Sequence, residues 1–535
     1  MSGSVIPSIL QSSAVEESQS IRVETVLLDA DVHNFVAGQY GRTRFVLPKR
    51  GTVLSPDGRL VWKAAYAGLV GDNSAAYPRD GGGHVAVSQC WLYMDGKLLS
   101  HTDQCGTKAY IDSKFLPWDH QTEVGDVLEG GNRKYAYSQA TARGGPAAGG
   151  QPGCLEWQTD QRSNMRGTRC IVAGIAGQSC LECALHLKHL FPLLKDTLIP
   201  MSLRGELSIE IEWEGQSLNT IVEGGTNAYN AGAPWGSAAT RAAGYSVIEP
   251  RLVLDYISYA PDIDAALREQ VASGAGMVVP FREAVLVRSQ LPALAAGGQQ
   301  NDLELGFAGR SVMKLYVQKL QAAGNVASNA VFYTGGGGPV GSVVQQAMNQ
   351  AKKNLRSDGL QNEAIQLVVN NKSMYDRVVT QPSEMYSYLC QTAEAPFFTE
   401  PGSYGQIGRL TTPNLVAGNS FAQQIASTSG QVSQVAAGAL NVPAILQDEL
   451  YQGRSRWLGF NLAQSRGGAD TPSNAVKIGA SPIILRLNRD VGALGTARDQ
   501  TFNDVRTQSA VNVNTWVEAV SQMIMRNGRV EIMAA

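Results

Sequence analysis

The chain has 535 residues, which is too long for one ordinary hydrophobic core, so we expect at least two domains. Hydrophobic residues make up 44% of the chain and charged residues 17%, a balance that excludes a disordered protein. The formal net charge of −2 gives no basic excess that would grip DNA phosphates, so we expect no direct sequence-specific nucleic-acid binding.

Residues 1–20 are rich in Ser, and no basic segment there leads into a continuous apolar core. We therefore expect an N-terminal arm and no secretory signal. The chain has no run of about 18 apolar residues that would predict a membrane span. Its seven cysteines are odd in number and sparse, which favours free thiols in a protein assembled in a reducing compartment.

Alternation of apolar and polar residues predicts β-strands along the first half of the chain. The pattern is clear at residues 42–47, 59–65 and 206–214. The predicted core-facing side chains are Thr43, Phe45, Leu47, Leu60, Trp62, Ala64, Leu207, Ile209, Ile211 and Trp213. The glutamates between the apolar residues of the third segment predict a strand with one buried and one solvated face.

The same period of two returns in the second half, at residues 302–307, 311–320, 481–489 and 528–533. In the second of these segments, Met313, Leu315 and Val317 alternate with Lys314 and Gln318. Turn sequences such as Ser55-Pro56-Asp57-Gly58 separate the strands. Together these features predict antiparallel β-sandwiches.

Helical patterns are few. Apolar spacing predicts a helix of about four turns over 340–355 and, less clearly, a short helix within 180–194. The acidic, Ala-rich stretch at 263–276 is interpreted as a linker helix.

Residues 119–168 and 391–450 are long insertions between the predicted strands, one in each half of the chain. The two halves therefore share a plan, although no residue-level repeat is visible.

Four widely spaced parts of the chain together resemble the double jelly-roll major capsid proteins of icosahedral DNA viruses. That lineage includes tectiviruses, adenoviruses, virophages, polinton-like viruses and the nucleocytoplasmic large DNA viruses. The segments that carry the resemblance are 84–100, 189–213, 250–270, and 302–320 followed by 514–532. Each motif is degenerate, and it is their order and separation that resemble the family. The insertions at 119–168 and 391–450 depart from its pattern.

The resemblance implies an all-β fold of two tandem eight-stranded antiparallel jelly rolls, with long loop insertions and a few short helices. The first roll would span 21–262 and the second 277–535. It also implies a non-enzymatic protein of the virion shell, assembled inside the host cell, whose pseudo-hexagonal homotrimers tile an icosahedral capsid. Its partners would be copies of itself, minor capsid or cement proteins and penton proteins, and the family also allows an internal membrane beneath the shell.

Two motifs suggest other chemistry. Gly336, Gly338 and Gly341 form G-x-G-x-x-G before a predicted helix, but the following strand ends in Asn370 and Asn371 where a dinucleotide site needs an acid. We interpret the glycines as a flexible loop.

The second motif is a run of potential metal ligands at Cys180, Cys183, His186 and His189. Equal spacing of three places these side chains along one drifting helical face, where tetrahedral zinc coordination is awkward. A helix packing Cys and His at a domain edge is the favoured interpretation, and a metal site remains the alternative.

The remaining candidates are interpreted as ordinary surface. Glu210 and Glu212 are predicted to be solvated charges, and Arg162, Arg166 and Arg169 a solvated loop or a receptor or glycan contact. We therefore expect no catalytic, cofactor-binding or metal residues. The alternative function is a carbohydrate-binding or carbohydrate-active β-sandwich, which would need an acidic pair or an aromatic platform in a cleft. An enzyme with a nucleotide-binding fold around Gly336 is a third hypothesis.

Overall fold

A computed structural model gives the fold. The described residues are 20–36, 40–67, 75–78, 82–113, 128, 171–172, 181–203, 205–215, 222–225, 244–274, 276–293, 298–321, 357, 359–360, 363–393, 457–463, 472–490, 504–505 and 510–534. Several predicted features lie outside these ranges. They are residues 1–19 of the arm, nearly all of the first insertion, the glycine loop, the helix expected at 340–355 and residues 394–450.

Strands dominate the described residues. Those of the first half are β1 (Ser20–Asp29), β2 (Val32–Asn34), β3 (Gly41–Leu47), β4 (Val53–Leu54), β5 (Arg59–Ala67), β6 (Ala75–Pro78), β7 (Val87–Met94), β8 (Lys97–Asp103), β9 (Ile171–Val172), β10 (Leu181–His186), β11 (Ile199–Pro200), β12 (Leu207–Trp213), β13 (Val222–Gly225) and β14 (Gly244–Tyr259). Those of the second half are β15 (Met277–Leu291), β16 (Gly298–Gly306), β17 (Ser311–Gln321), β18 (Gly359–Leu360), β19 (Ala364–Val369), β20 (Lys372–Ser373), β21 (Leu458–Asn461), β22 (Val476–Lys477), β23 (Ile483–Asp490), β24 (Asp504–Val505), β25 (Val511–Arg526) and β26 (Arg529–Ala534).

The described helices are short. They are α1 (Cys105–Ser113), α2 (Leu187–Leu190), α3 (Leu193–Asp196), α4 (Pro261–Ala272) and α5 (Pro382–Thr392). Two 3-10 turns lie at Gly82–Ala86 and Pro472–Asn474. In the described parts of the chain, no helix has the length and hydropathy needed to cross a membrane.

The first half forms a sandwich of two main antiparallel sheets. One has the order β10-β5-β14-β4-β11, with β1 also paired to β14, and the other has the order β2-β3-β12-β7-β8. Between the sheets, the ring centroids of Trp62 and Trp213 lie 5.1 Å apart, and the Trp213 indole N–H donates to Thr43 Oγ1 at 2.7 Å. The alternation of β12 explains this packing, because Leu207, Ile209, Ile211 and Trp213 are all buried as predicted.

The second half repeats the arrangement. One sheet has the order β15-β25-β17-β21, with β22 on β17 and β26 on β25, and the facing sheet has the order β16-β23-β19-β20. Leu315 and Val317 of β17 and Leu485 and Leu487 of β23 share the core between them. The short pair β18–β24 is parallel, whereas the strand pairs of these two main sheets are antiparallel.

The two halves have the same strand connectivity. In each half, a 16-residue strand near the end pairs on one side with the first strand of that half and on the other side with a further strand. The orders are β1-β14-β5 in the first half and β15-β25-β17 in the second. In the facing sheet, the central strand is the one that lies two strands before the 16-residue strand, as in β3-β12-β7 and β16-β23-β19. The duplication of plan that the sequence indicated is therefore a duplication of topology.

A helix lies in the chain between the two halves. It runs from Pro261 to Ala272, where the sequence predicted 263–276. Pro261 occupies the first turn, where a backbone N–H has no partner within the helix, so its missing N–H costs nothing. Asp262 and Asp264 lie in the same turn, where their negative charges interact favourably with the positive end of the helix dipole. Leu267 and Val271 are buried in the core of the first sandwich.

Two local predictions were wrong. Residues 181–186 form β10 and not a helix, because they pair along their whole length with β5. In the segment 180–194, only the residues of α2 and α3 are helical.

The second wrong prediction concerns β17, whose residues 312–319 are buried on both faces instead of one. The reason is that α5 covers this strand, with Tyr316 Oη donating to the Thr392 carbonyl at 3.1 Å, while Lys319 pairs with Glu363. The last two residues of α5, Gln391 and Thr392, fall at the start of the insertion expected at 391–450.

Candidate functional site

The Cys/His motif is split between two kinds of element. Cys183 and His186 lie on β10, and His189 follows on α2, while Cys180 lies outside the described residues. Cys183 is buried beside the core, whereas His186, three residues further along a strand with period two, lies on the other face. The rings of His186 and His189 are 6.1 Å apart. Among the described residues, no three His, Cys, Asp or Glu side chains are grouped to hold a metal ion.

The paired glutamates form cross-strand ion pairs on a sheet surface. Arg42 of β3 bonds Glu212 of β12 at 3.2 Å, and the Nε of Arg44 lies 3.9 Å from a carboxylate oxygen of Glu210. These arginines are 64% and 45% exposed. The carboxylates of Glu212 and Glu210 are only 13% and 29% exposed, so they are less solvated than the sequence predicted. The pairs are partly exposed ion pairs on the face of the sheet. The arginines at 162, 166 and 169 and the glycines at 336–341 lie outside the described residues.

In the described part of the chain, buried charges meet at the contact between the two sandwiches, which we call the junction. It is built by α1, which follows β8 of the first half and packs against β17 and β25 of the second. The Lys108 ammonium donates to both Asp112 oxygens, at 2.7 and 2.8 Å, and to Glu518 Oε1 of β25 at 2.8 Å. It also lies 5.0 Å from the ring centroid of Tyr316.

The junction charges stabilise one another. Burial alone would lower the pKa of Lys108, but the carboxylates of Asp112 and Glu518 outweigh it and shift the pKa upward. Burial would likewise raise the pKa of Glu518, yet Lys108, with Lys314 and other cations, shifts it well below its usual range. Lys108 is therefore a protonated cation and Glu518 a carboxylate at neutral pH. This arrangement holds two halves together and supplies neither a general base nor an amine nucleophile.

Asp103 makes a second polar contact across the junction. Its carboxylate accepts from Arg288 of β15 at 2.5 Å, and its backbone carbonyl accepts from the Trp516 indole at 3.4 Å. Ile111 of α1 packs beside this contact in an apolar cluster with second-half residues. The other buried members of that cluster are Tyr316, Leu389, Cys390, Trp457 and Trp516.

A third contact joins the linker helix to the end of the chain. The backbone N–H groups of Asn527 and Gly528, in the turn between β25 and β26, donate to the carbonyls of Ser273 and Val271 at 3.2 and 3.0 Å. Residues of β15, β25 and β26 complete the hydrophobic core of the first sandwich. They are Met277, Val279, Phe281, Met523, Met525 and Val530.

The junction was not predicted from the sequence. Glu518 is the one acid within the otherwise uncharged stretch 511–525, and such a residue on a long strand indicates a buried partner. Lys108 and Asp112 have the spacing of an ion pair on a helix. Neither signal identifies the partner, which only the fold brings close.

Comparison with known proteins finds similarity in structure and none in sequence: no family model and no curated protein matches the chain. The chain is similar to PBCV-1 VP54, whose crystal structure was fitted into a cryo-EM reconstruction of the virophage Sputnik. The match has a TM-score of 0.52 and 9% identity and covers 97% of this chain and 98% of that chain. Against the Faustovirus major capsid protein the TM-score is 0.50 at 10% identity, with 96% and 92% covered.

The chain has a double jelly-roll fold. Both sandwiches take part in the likeness, because the matches extend over nearly the full length of each chain. In this double jelly roll, the junction and the linker helix are the elements that join one roll to the other. At about 10% identity the likeness establishes the fold and leaves the role to be argued.

Proposed function

We propose that the protein is a major capsid protein whose pseudo-hexagonal homotrimers tile the shell of an icosahedral virion. The observation that carries the proposal is the match over nearly the full length to two proteins. One is PBCV-1 VP54, which was fitted into a reconstruction of the virophage Sputnik, and the other is the Faustovirus major capsid protein. The protein would reside in the virion shell and be assembled inside the host cell. It would act as a structural component and not as an enzyme.

The duplicated topology supports a trimer. Two similar sandwiches per chain give six per trimer, so a three-fold object has a nearly six-fold outline and can pack in a hexagonal array. A rigid connection between the sandwiches is needed for this, because the outline depends on their relative orientation. The buried Lys108–Glu518 pair and the shared core around Met277 and Met525 supply such a connection.

We propose the same division of the chain as before: an arm at 1–20, a first roll at 21–262 and a second roll at 277–535. The main sheets of residues 20–259 and of residues 277–534 share no strand, and α4 lies between them, which supports this division. The insertions around 119–168 and 391–450 would form the outer loops. Copies of the chain, minor or cement proteins and penton proteins would be its partners, with an internal membrane as a further one.

The carbohydrate alternative gains no support from the described tryptophans. Trp62, Trp213, Trp457 and Trp516 are fully or nearly fully buried and cannot form a platform. Trp91 is partly exposed, but its ring stacks on His101 at 5.4 Å and lies under the Arg42 guanidinium at 5.4 Å. Its ring is therefore already in contact with protein groups that a sugar would have to displace.

Light scattering after size-exclusion chromatography tests the proposed trimer. The purified chain should elute as one species with a mass near three times 57.1 kDa, and the same sample unfolded in denaturant provides the monomer reference. A folded monomer or dimer at micromolar concentration would count against the proposal. A folded monomer that also binds a panel of glycans would favour the carbohydrate alternative.

A further inference from the structure

Two buried cysteines of the first sandwich lie in contact. Cys90 is on β7 and Cys105 is the first residue of α1, and their sulfur atoms are 3.3 Å apart. Both side chains are essentially inaccessible, at 0% and 1% exposure. Neither Cys90 nor Cys105 is in a disulfide bond.

The local backbone holds these thiols together. Cys90 faces Thr102 in the β7–β8 ladder, and Gln104, with a φ of 50°, turns the chain from β8 into α1. At Gly106 an added Cβ would lie 2.7 Å from the backbone of His84 and Val85, so α1 begins pressed against the preceding 3-10 turn. Cys105 therefore has little freedom to move away from Cys90.

The hydrogen bonds of the pair tolerate oxidation. The Cys90 thiol donates to the Leu190 carbonyl and the Cys105 thiol to the Thr102 carbonyl, each at 3.2 Å. A disulfide removes both thiol donors. The Leu190 carbonyl nevertheless keeps a stronger donor, because the Thr102 hydroxyl bonds it at 2.8 Å.

We propose that Cys90 and Cys105 are a modification site, a thiol pair that forms an intramolecular disulfide in the folded protein when it meets a disulfide oxidant. One thiolate attacks the reagent disulfide and releases one reagent thiol; the second thiolate then attacks the mixed disulfide and releases the other. The protein loses two protons and two electrons, and the reagent disulfide is reduced to two thiols.

The reaction is slow and gated by opening of the structure. Burial raises the pKa of the Cys105 thiol, and the neighbouring Cys90 thiol adds to the shift, so thiolate is scarce at neutral pH. The reagent reaches the pair only when α1 and the β7–β8 hairpin separate transiently. The bond fastens the start of α1, the helix that carries Lys108 into the junction. It therefore makes the contact between the rolls harder to open.

The setting of this modification rests on the proposed function. A shell protein is assembled in a reducing cell and then released into an oxidising medium, so the disulfide would form after assembly. The chemistry itself does not require a shell. It can be tested on the purified chain, and failure of the thiol pair would therefore leave the capsid proposal standing.

Peptide mapping under native conditions is the test. The reduced chain is incubated with oxidised glutathione, alkylated, digested without reduction and analysed by mass spectrometry. We expect a cross-linked peptide pair containing Cys90 and Cys105, lighter by two hydrogen atoms than the reduced pair, whose yield grows with time and with temperature below unfolding. Closing the loop between the two cysteines should raise the Tm by roughly 5 °C.

Matched variants separate this pair from the other thiols. Cys90→Ala and Cys105→Ala should each abolish both the cross-link and the rise in Tm, whereas Cys390→Ala, which changes another buried cysteine, should keep both. The proposal is overturned if the folded wild-type chain yields Cys90 and Cys105 as separate alkylated peptides after prolonged oxidation. It is also overturned if they are found paired with other cysteines, or if the oxidised chain melts at a lower temperature. Mapping of the wild type decides the matter even where a variant fails to fold.

Discussion

The ammonium nitrogen of Lys108 lies 2.8 Å from a carboxylate oxygen of Glu518, although 410 residues separate them in the chain. Their side chains are 5% and 11% exposed. Removing one partner of such a pair leaves the other buried charge without its direct hydrogen-bond partner, and this costs more than the loss of a surface ion pair. The pair therefore makes the orientation of the two rolls sensitive to a single substitution.

Lys108→Met should lower the free energy of unfolding by about 3–5 kcal/mol, because Asp112 and Glu518 lose their common partner. Urea titration of the purified chain measures the change. Arg268→Ala is the matched control, since Arg268 and Asp264 form a helical ion pair of the same spacing with the arginine 60% exposed. That control should cost less than about 1 kcal/mol. Equal effects of the two substitutions would show that the junction pair is not a special contact.

Glu214 should make the protein less stable as the pH rises from about 4.5 to 7. Burial raises its pKa from 4.5 to about 7, and the carboxylate of Glu212 adds to the shift. The folded state therefore binds a proton more readily than the unfolded state. The stability that this proton gives is complete below the unfolded pKa and is lost as the pH passes through the folded pKa.

Glu214→Gln removes that dependence. The variant should be more stable than the wild type at pH 8, by up to about 3 kcal/mol, and the difference should shrink towards pH 4.5. Urea midpoints at several pH values measure this. Glu206 and Glu214 flank β12 on either side, and Glu206 is exposed. Glu206→Gln should therefore not reproduce the effect. A gap between Glu214→Gln and the wild type that widens towards acid would have the wrong sign.

Gly459 of β21 allows α5 to approach closely. A Cβ at this position would lie 2.8 Å from the Cα of Leu389 and 2.8 Å from Thr392 Oγ1. Gly459→Ala should therefore destabilise the protein by about 1–3 kcal/mol through overpacking. At Gly274 the nearest atom would be an Asn527 side-chain oxygen at 3.9 Å, so Gly274→Ala should change stability by less than about 1 kcal/mol. Similar melting temperatures for the two variants would contradict the close packing of α5.

Deletion of residues 1–20 should leave trimers intact but impair assembly of shells. The prediction follows from the proposal that this segment is an arm outside the first roll, where it would contact neighbouring capsomers. Light scattering of the deletion variant reports the trimer, and electron microscopy of cells that express it reports particles. Normal particles from the truncated chain would show that the arm has no part in assembly.

The strand faces could be predicted from the sequence because they depend on local alternation. Thr43, Phe45 and Leu47 of β3 are buried as predicted, and Trp62 of β5 lies in the same core. The linker helix was found for a similar reason, since its acidic first turn and Ala-rich body are local signals. The step from two sandwiches to the double jelly roll required the resemblance, and the structural matches then confirmed the fold.

Long-range features could not be predicted. β17 is buried on both faces because α5 packs over the face that was predicted to be solvated. The alternation of residues 311–320 does not indicate that a helix packs there. Cys183 and His186 looked like neighbours on a helix until the pairing of β10 with β5 gave them opposite faces. The partner of Glu518 lies in the other half of the chain, so its position depends on the complete fold.

Electron microscopy of the purified protein tests the central claim most directly. Class averages of single particles should show a three-fold symmetric object with a nearly hexagonal outline and six similar lobes, two from each chain. Such particles would also be expected to form hexagonal arrays at high concentration. Particles with two lobes and no three-fold symmetry, across the concentrations at which the protein stays folded, would contradict the claim that this chain builds capsomers.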